Sequence, residues 1–169
     1  MANLLCNAAK EPHVPDDIAL LRESLRAGVA ARAAGNHPFG AVLADAEGKV
    51  LMTMGNAWLT DKGPGHAETN LAREAARTYA PEFLADCTLY TAFEPCSMCS
   101  GTIYWAGIGR LVFGVTEARL LELTGDNPEN PTMSLSCRDV LAAGQRQVQV
   151  EGPFPELEDE IIRSHDGFW

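Results

Sequence analysis

Two short strings in this 169-residue chain carry residue types that do chemistry: His66-Ala67-Glu68 and Pro95-Cys96-Ser97-Met98-Cys99. Two cysteines three apart at a helix start share one face, and the positive end of the helix favours both as thiolates. That spacing suits zinc, and it suits a thioredoxin-like redox pair equally well. A His-x-Glu string alone is common at exposed helix starts. The two strings together say more. One neutral imidazole and two thiolates supply three zinc ligands and leave a fourth position for water, which separates a catalytic zinc from a structural one. Two thiolates cancel the formal charge of the ion, so it acidifies a water less than a three-histidine site would. A nearby base then helps, and Glu68 provides one. In a dry pocket its carboxyl rises toward the working pH and can carry protons to a reacting ring and its leaving group. Cys87 would close the site as a fourth ligand, but it lies at the opposite end of its strand from Cys96.

These groups need elements that hold them at one place. Asp16 or Asp17 caps a helix whose stripe is Ile18, Leu21, Leu25 and Val29, ended by Gly35-Asn36. Residues 39–44 and 50–56 read as a hairpin about the turn 45–49. A loop over 58–65 leads to a helix from His66 to about Tyr79. A strand at 88–92 feeds a helix from Cys96 to about Ala106, broken by Gly107-Ile108-Gly109 ahead of a strand at 110–115. Residues 125–131 form a surface loop or flap. A short helix at 138–144, a strand at 147–151 and a helix at 155–164 complete the chain. Both halves of the motif open a helix that follows a strand, so both helix starts can meet at one edge of a sheet. The pattern predicts an α/β fold, a mixed sheet with helices on both faces, in a single domain over 1–169.

Composition narrows the setting. The chain is 46% hydrophobic and 21% charged with a net charge of −10, which disfavours a nucleic-acid partner. The acidic run Pro155-Glu156-Leu157-Glu158-Asp159-Glu160 points the same way. No stretch reaches the length of a membrane span, and residues 1–10 show no targeting signal, so a cytoplasmic protein is expected. The five cysteines, Cys6, Cys87, Cys96, Cys99 and Cys137, argue by odd count against a disulfide framework, with Cys87 and Cys137 as small buried hydrophobes. His13 and His37 are expected to have no catalytic role.

The His-Ala-Glu and Glu-Pro-Cys-x-Met-Cys pair resembles the cytidine/deoxycytidylate deaminase superfamily, in which the glutamate is not a zinc ligand. Pro38-Phe39-Gly40-Ala41-Val42 and Gly101-Thr102-Ile103-Tyr104-Trp105-Ala106 are similar to the guanine deaminase and tRNA adenosine deaminase branch. The resemblance implies a three-layer α/β/α sandwich around a five-stranded mixed sheet and a homodimer. It implies zinc on His66, Cys96 and Cys99, with Glu68 as the catalytic acid–base. It also implies substrate contacts from Asn56, the Ala67 backbone amide and the Phe39 wall. Fungal cytosine deaminases place C-terminal aromatics over the substrate, which here implies a lid of Phe168 and Trp169. Guanine deaminases carry a downstream aspartate for proton transfer. Residues 116–124 show no such aspartate, and Asp126 is the candidate. The activity implied is hydrolytic release of ammonia from an amino-substituted nucleobase or nucleoside, a guanine-like base ahead of cytosine or a related ring. A tRNA adenosine-to-inosine deaminase is the alternative. A non-catalytic, zinc-stabilised binding protein would have no use for Glu68.

Overall fold

The computed structural model describes residues 15–169; the readings of residues 1–10, Cys6 and His13 lie outside them. The first helix, α1 (Asp17–Ala33), starts where Asp16 accepts a hydrogen bond from the Ala19 amide. A hairpin follows, β1 (Gly40–Ala44) and β2 (Val50–Gly55), then α2 (Trp58–Asp61), α3 (Ala67–Thr78) and α4 (Pro81–Leu84). The chain continues through β3 (Thr88–Phe93), α5 (Ser97–Ala106), β4 (Arg110–Val115) and α6 (Glu117–Thr124). It ends with α7 (Cys137–Ala142), β5 (Gln149–Glu151) and α8 (Pro155–Arg163). No helix among the described residues is long and apolar enough to cross a membrane.

The five strands lie in the order β2-β1-β3-β4-β5. β1 is antiparallel to both neighbours, and β3, β4 and β5 are parallel. β2 therefore runs in the same direction as β3 and β4, and the carboxyl ends of all three reach the same edge of the sheet. Alternation along each strand divides the core in two. Ala41, Leu43, Leu89, Leu111 and Phe113 face Leu71, Ala75, Ile103 and Leu141 of α3, α5 and α7. Val42, Ala44, Tyr90 and Val112 face Leu21 and Leu25 of α1 and Leu157 and Ile161 of α8. The result is the three-layer α/β/α arrangement around a mixed five-stranded sheet.

Glycine sets the closest approach. A Cβ on Gly40 would stand 2.3 Å from the Ser24 carbonyl, and one on Gly28 would stand 2.7 Å from that of Pro38. Backbone therefore meets backbone where α1 crosses β1, just after Phe39 leads the chain into the sheet. Gly107, at φ +90°, turns the chain out of α5 in the left-handed conformation that favours glycine.

Several short elements depart from the sequence reading. The loop expected over 58–65 contains α2, and α4 and α6 form where no element was assigned. His66 and Cys96 are the residues that cap α3 and α5, not their first helical residues.

Candidate active site

Three strand ends at one edge each hand the chain to a helix: β2 to α3 by way of α2, β3 to α5, and β4 to α6. His66 caps the second helix of the first junction and Cys96 caps α5, yet neither side chain makes the capping bond to its own helix. Both are left free to turn toward a common point. The Cys96 and Cys99 sulfurs are 3.7 Å apart, and His66 Nδ1 lies 3.7 Å from Cys96 Sγ and 3.4 Å from Cys99 Sγ. Zinc bonds of about 2.3 Å to sulfur and about 2.0–2.1 Å to nitrogen, at tetrahedral angles, place sulfurs about 3.7 Å apart and sulfur and nitrogen about 3.6 Å apart. The three donors thus outline one face of a zinc tetrahedron. Cys99 is buried and receives the Thr69 hydroxyl at 3.3 Å. The hydrogen bond between the two sulfurs and the proximity of His66 favour the thiolate on Cys96. Cys87, at the far end of β3, is buried and belongs to the core.

Glu68 lies in the first turn of α3, only 5% exposed. Thr91 of β3 donates to its Oε1 at 2.6 Å, and Oε2 is 3.7 Å from Cys99 Sγ. Burial pushes the Glu68 carboxyl above the usual carboxylate range. One oxygen is held, and the other faces the metal donors.

A second carboxyl arrives from the third junction. Glu117, the first residue of α6, is 5% exposed, and among the described residues its side chain makes no hydrogen bond. Burial, together with the charges of Cys96, Glu68 and Glu94, pushes it up to about 8. Asp126, the candidate named from sequence, does not line the cavity; Glu117 does. The usable signal was the junction itself: β4 is parallel to β3, so α6 must start at the same edge as α5.

Glu94 holds this junction in place. Its Oε2 accepts the Glu117 amide at 3.0 Å, while Oε1 accepts the Ser136 hydroxyl at 2.8 Å and the Cys137 amide at 2.9 Å. One carboxylate thereby serves the starts of α6 and α7. Burial works against its charge, but these bonds keep it below the usual carboxylate range.

These groups line a cavity of about 240 Å³. Phe39, Trp58, Phe93 and Leu120 supply apolar wall, and Glu129, Asn130, Pro131, Thr132 and Met133 close it from the loop between α6 and α7. Asn56 is buried at the end of β2, and its Oδ1 accepts the Trp58 amide at 2.8 Å. That bond sets the start of α2 and the wall residue Trp58, leaving the Asn56 Nδ2 for other partners. Ala67 is fully buried as the first residue of α3. Phe168 and Trp169 do not line the cavity. They pack one layer behind it, with ring centroids 5.7 and 5.3 Å from His37 and with Trp169 6.0 Å from Phe39. The Trp169 indole donates to His165 Nδ1 at 2.9 Å, and Arg32 binds the carbonyls of Ser164 and Asp166. These bonds fold the tail against the body of the molecule, so the aromatics buttress the wall rather than cover the mouth.

Residues 15–115 match the family model of the cytidine and deoxycytidylate deaminase zinc-binding region. The chain is 40% identical over 153 residues to a probable cytosine deaminase of Schizosaccharomyces pombe, covering 90% of this chain and 92% of that one. It is 43% identical over 70 residues to guanine deaminase of Bacillus subtilis, covering 41% of this chain and 44% of that one. Its fold is similar to that of a guanine deaminase from Nitrosomonas europaea, with a TM-score of 0.65, 24% identity, and coverage of 97% and 91% of the two chains. With a zinc-binding family model matched over most of its length and three donors spaced for that metal, this chain belongs to the cytidine and deoxycytidylate deaminase family of zinc-dependent deaminases.

Proposed function

We propose that this protein hydrolyses the exocyclic amine of a small free nucleobase, with a cytosine-like ring as the preferred substrate. The observation that carries the reading is one cavity of about 240 Å³ that holds the metal donors, two buried carboxyls and an aromatic wall. Drug-sized ligands occupy about 300–1,000 Å³, so this space suits a base better than a base with its sugar. Zinc held by His66, Cys96 and Cys99 would supply Lewis acidity toward water and the reacting ring carbon. Glu68, fixed by Thr91, carries one proton of the attacking water to the adjacent ring nitrogen and then the second, from the hydroxyl now on the ring carbon, to the departing amine. Water and the amino ring become the ring carbonyl and ammonia. Burial pushes Glu117 up to about 8, so its acid form is available to donate a hydrogen bond to an acceptor on the ring. Phe39, Phe93 and Trp58 hold the ring plane by contact with its faces and edges.

The motifs alone placed guanine ahead of cytosine. The relative matched nearly end to end is named for cytosine, whereas the guanine deaminase match covers 41% of this chain, and that supports the reverse order. Guanine is the second reading, favoured by the 43% identity within the matched stretch. The net charge of −10 disfavours tRNA. Ammonia release across cytosine, guanine, adenine, their nucleosides and tRNA tests the assignment, with cytosine expected fastest. Inosine formed in tRNA with no free base consumed would overturn it. The reading includes a single domain acting as a homodimer, for which Trp105, 81% exposed on α5, offers an apolar contact. A monomeric mass in solution for wild type would exclude that assembly.

A further inference from the structure

His37 sits in the turn between α1 and β1, separate in sequence from the metal motif but in the same cavity. It is 4% exposed and lines the cavity, and its ring stacks on Trp58 at a centroid distance of 4.5 Å. Phe168 and Trp169 hold it edge-on from behind. The ring is therefore gripped on several sides, yet its Nε2 is buried without a hydrogen-bond partner among the described residues. Glu129 Oε2 comes within 3.4 Å of that nitrogen, but without the alignment of a hydrogen bond. Buried polar atoms in folded proteins are paired almost without exception, and one left unpaired at a cavity wall marks a place for a ligand atom.

We propose that His37 is a specificity-determining residue that donates from Nε2 to a carbonyl oxygen of the base. In the tautomer that carries its proton on Nε2, that nitrogen presents N–H at the cavity wall beside Glu129. Burial keeps the imidazole neutral, below its ordinary value, against the opposing pull of Glu129. Of the other polar groups of the wall, Glu94 is engaged with three donors and Thr132 with Thr124 and Asn130. His37 thus adds, beside Glu117, a second directional donor, on the side of the wall that Trp58 and Phe39 make aromatic. A site built to hydrogen-bond one substrate atom rejects rings that lack it far more strongly than shape alone can.

The inference rests on the free-base reading above, and paired rings separate the two. Cytosine is compared with 4-aminopyrimidine, which lacks the carbonyl, and guanine with 2-aminopurine, which lacks its own. Zinc-loaded wild type and His37→Phe are assayed for ammonia release and for equilibrium binding. Phenylalanine keeps an aromatic ring against Trp58 and removes the ring nitrogens. His37→Phe should raise KM for the carbonyl-bearing ring roughly tenfold, with little change in kcat and none for its partner ring. Its Tm should hold or rise, because an unpaired buried atom has gone. Equal discrimination by wild type and His37→Phe would overturn the role. So would Glu129→Gln reproducing the whole KM rise, since the nitrogen would then serve the loop. Ring binding without ammonia release would overturn the proposed reaction instead, while the binding comparison still decides His37. A wild type that binds none of the four rings would overturn both.

Discussion

The metal side of the cavity takes its groups from two helix starts, each beside the end of a strand, and all four side chains lie within two short strings. The rest of the wall takes His37, Trp58, Glu117 and the 129–133 loop from four separate stretches. The first side depends on local spacing and a rigid sheet edge. The second exists only once the chain is folded. The difference teaches that reaction type and substrate choice are carried by separable parts of the molecule, so damage to each should read out differently.

Substitution on the metal side should have the largest effect. Glu68→Gln should lower kcat by about 10³-fold or more while leaving KM, zinc content and Tm close to wild type. Ammonia release with metal analysis checks this; persistent turnover would remove Glu68 from proton transfer. Glu117 lies where the two sides meet. Its acid form is the donor, so kcat/KM should fall as pH rises through about 8, where that proton leaves. Glu117→Gln keeps a neutral donor and should flatten that alkaline limb, at a loss of about 10–100-fold in kcat/KM. A limb that survives the substitution would assign it to another group.

Smaller effects belong to the buttress. Deleting residues 166–169 should raise KM several-fold and lower Tm with kcat nearly kept, because His37 and Phe39 lose their backing. Unchanged kinetics would show that the wall stands alone. His165 is buried, and burial holds it down to about 4 in the fold. A histidine depressed in this way stabilises fully above about 6.5, and that contribution drains away as pH falls toward 4, at up to about 1.4 kcal/mol per unit. Denaturation midpoints between pH 7 and 4 should therefore show a shallower acid decline in His165→Gln, which keeps an acceptor for Trp169.

The same contrast explains what could be read in advance. The Cys-x-x-Cys and His-x-Glu spacings are local and pointed to their place; the α1 stripe did so only in part, since Leu21 and Leu25 are buried while Val29 is 49% exposed and Leu20, Ser24 and Gly28 turn inward. The four-residue helices α2 and α4 are too short to leave a period. Glu117 follows Thr116, which caps α6 by accepting the Arg119 amide, so the pair reads as an ordinary helix start. Nothing in the neighbours of His37 tells a cavity residue from a turn residue. Phe168 and Trp169 stood out as terminal aromatics, but their position behind the wall depends on Arg32 and His165, far away in sequence or invisible as partners.

Glu94 has one further consequence. Because its two oxygens fasten the chain at Glu117 and again at Ser136 and Cys137, the segment between leaves and returns at a single point, two residues before Cys96. That segment behaves as an exchangeable cassette: its interior can lengthen, shorten or change composition while both ends stay registered to the metal. A lineage can then redraw which rings it accepts without rebuilding the machinery that reacts with them.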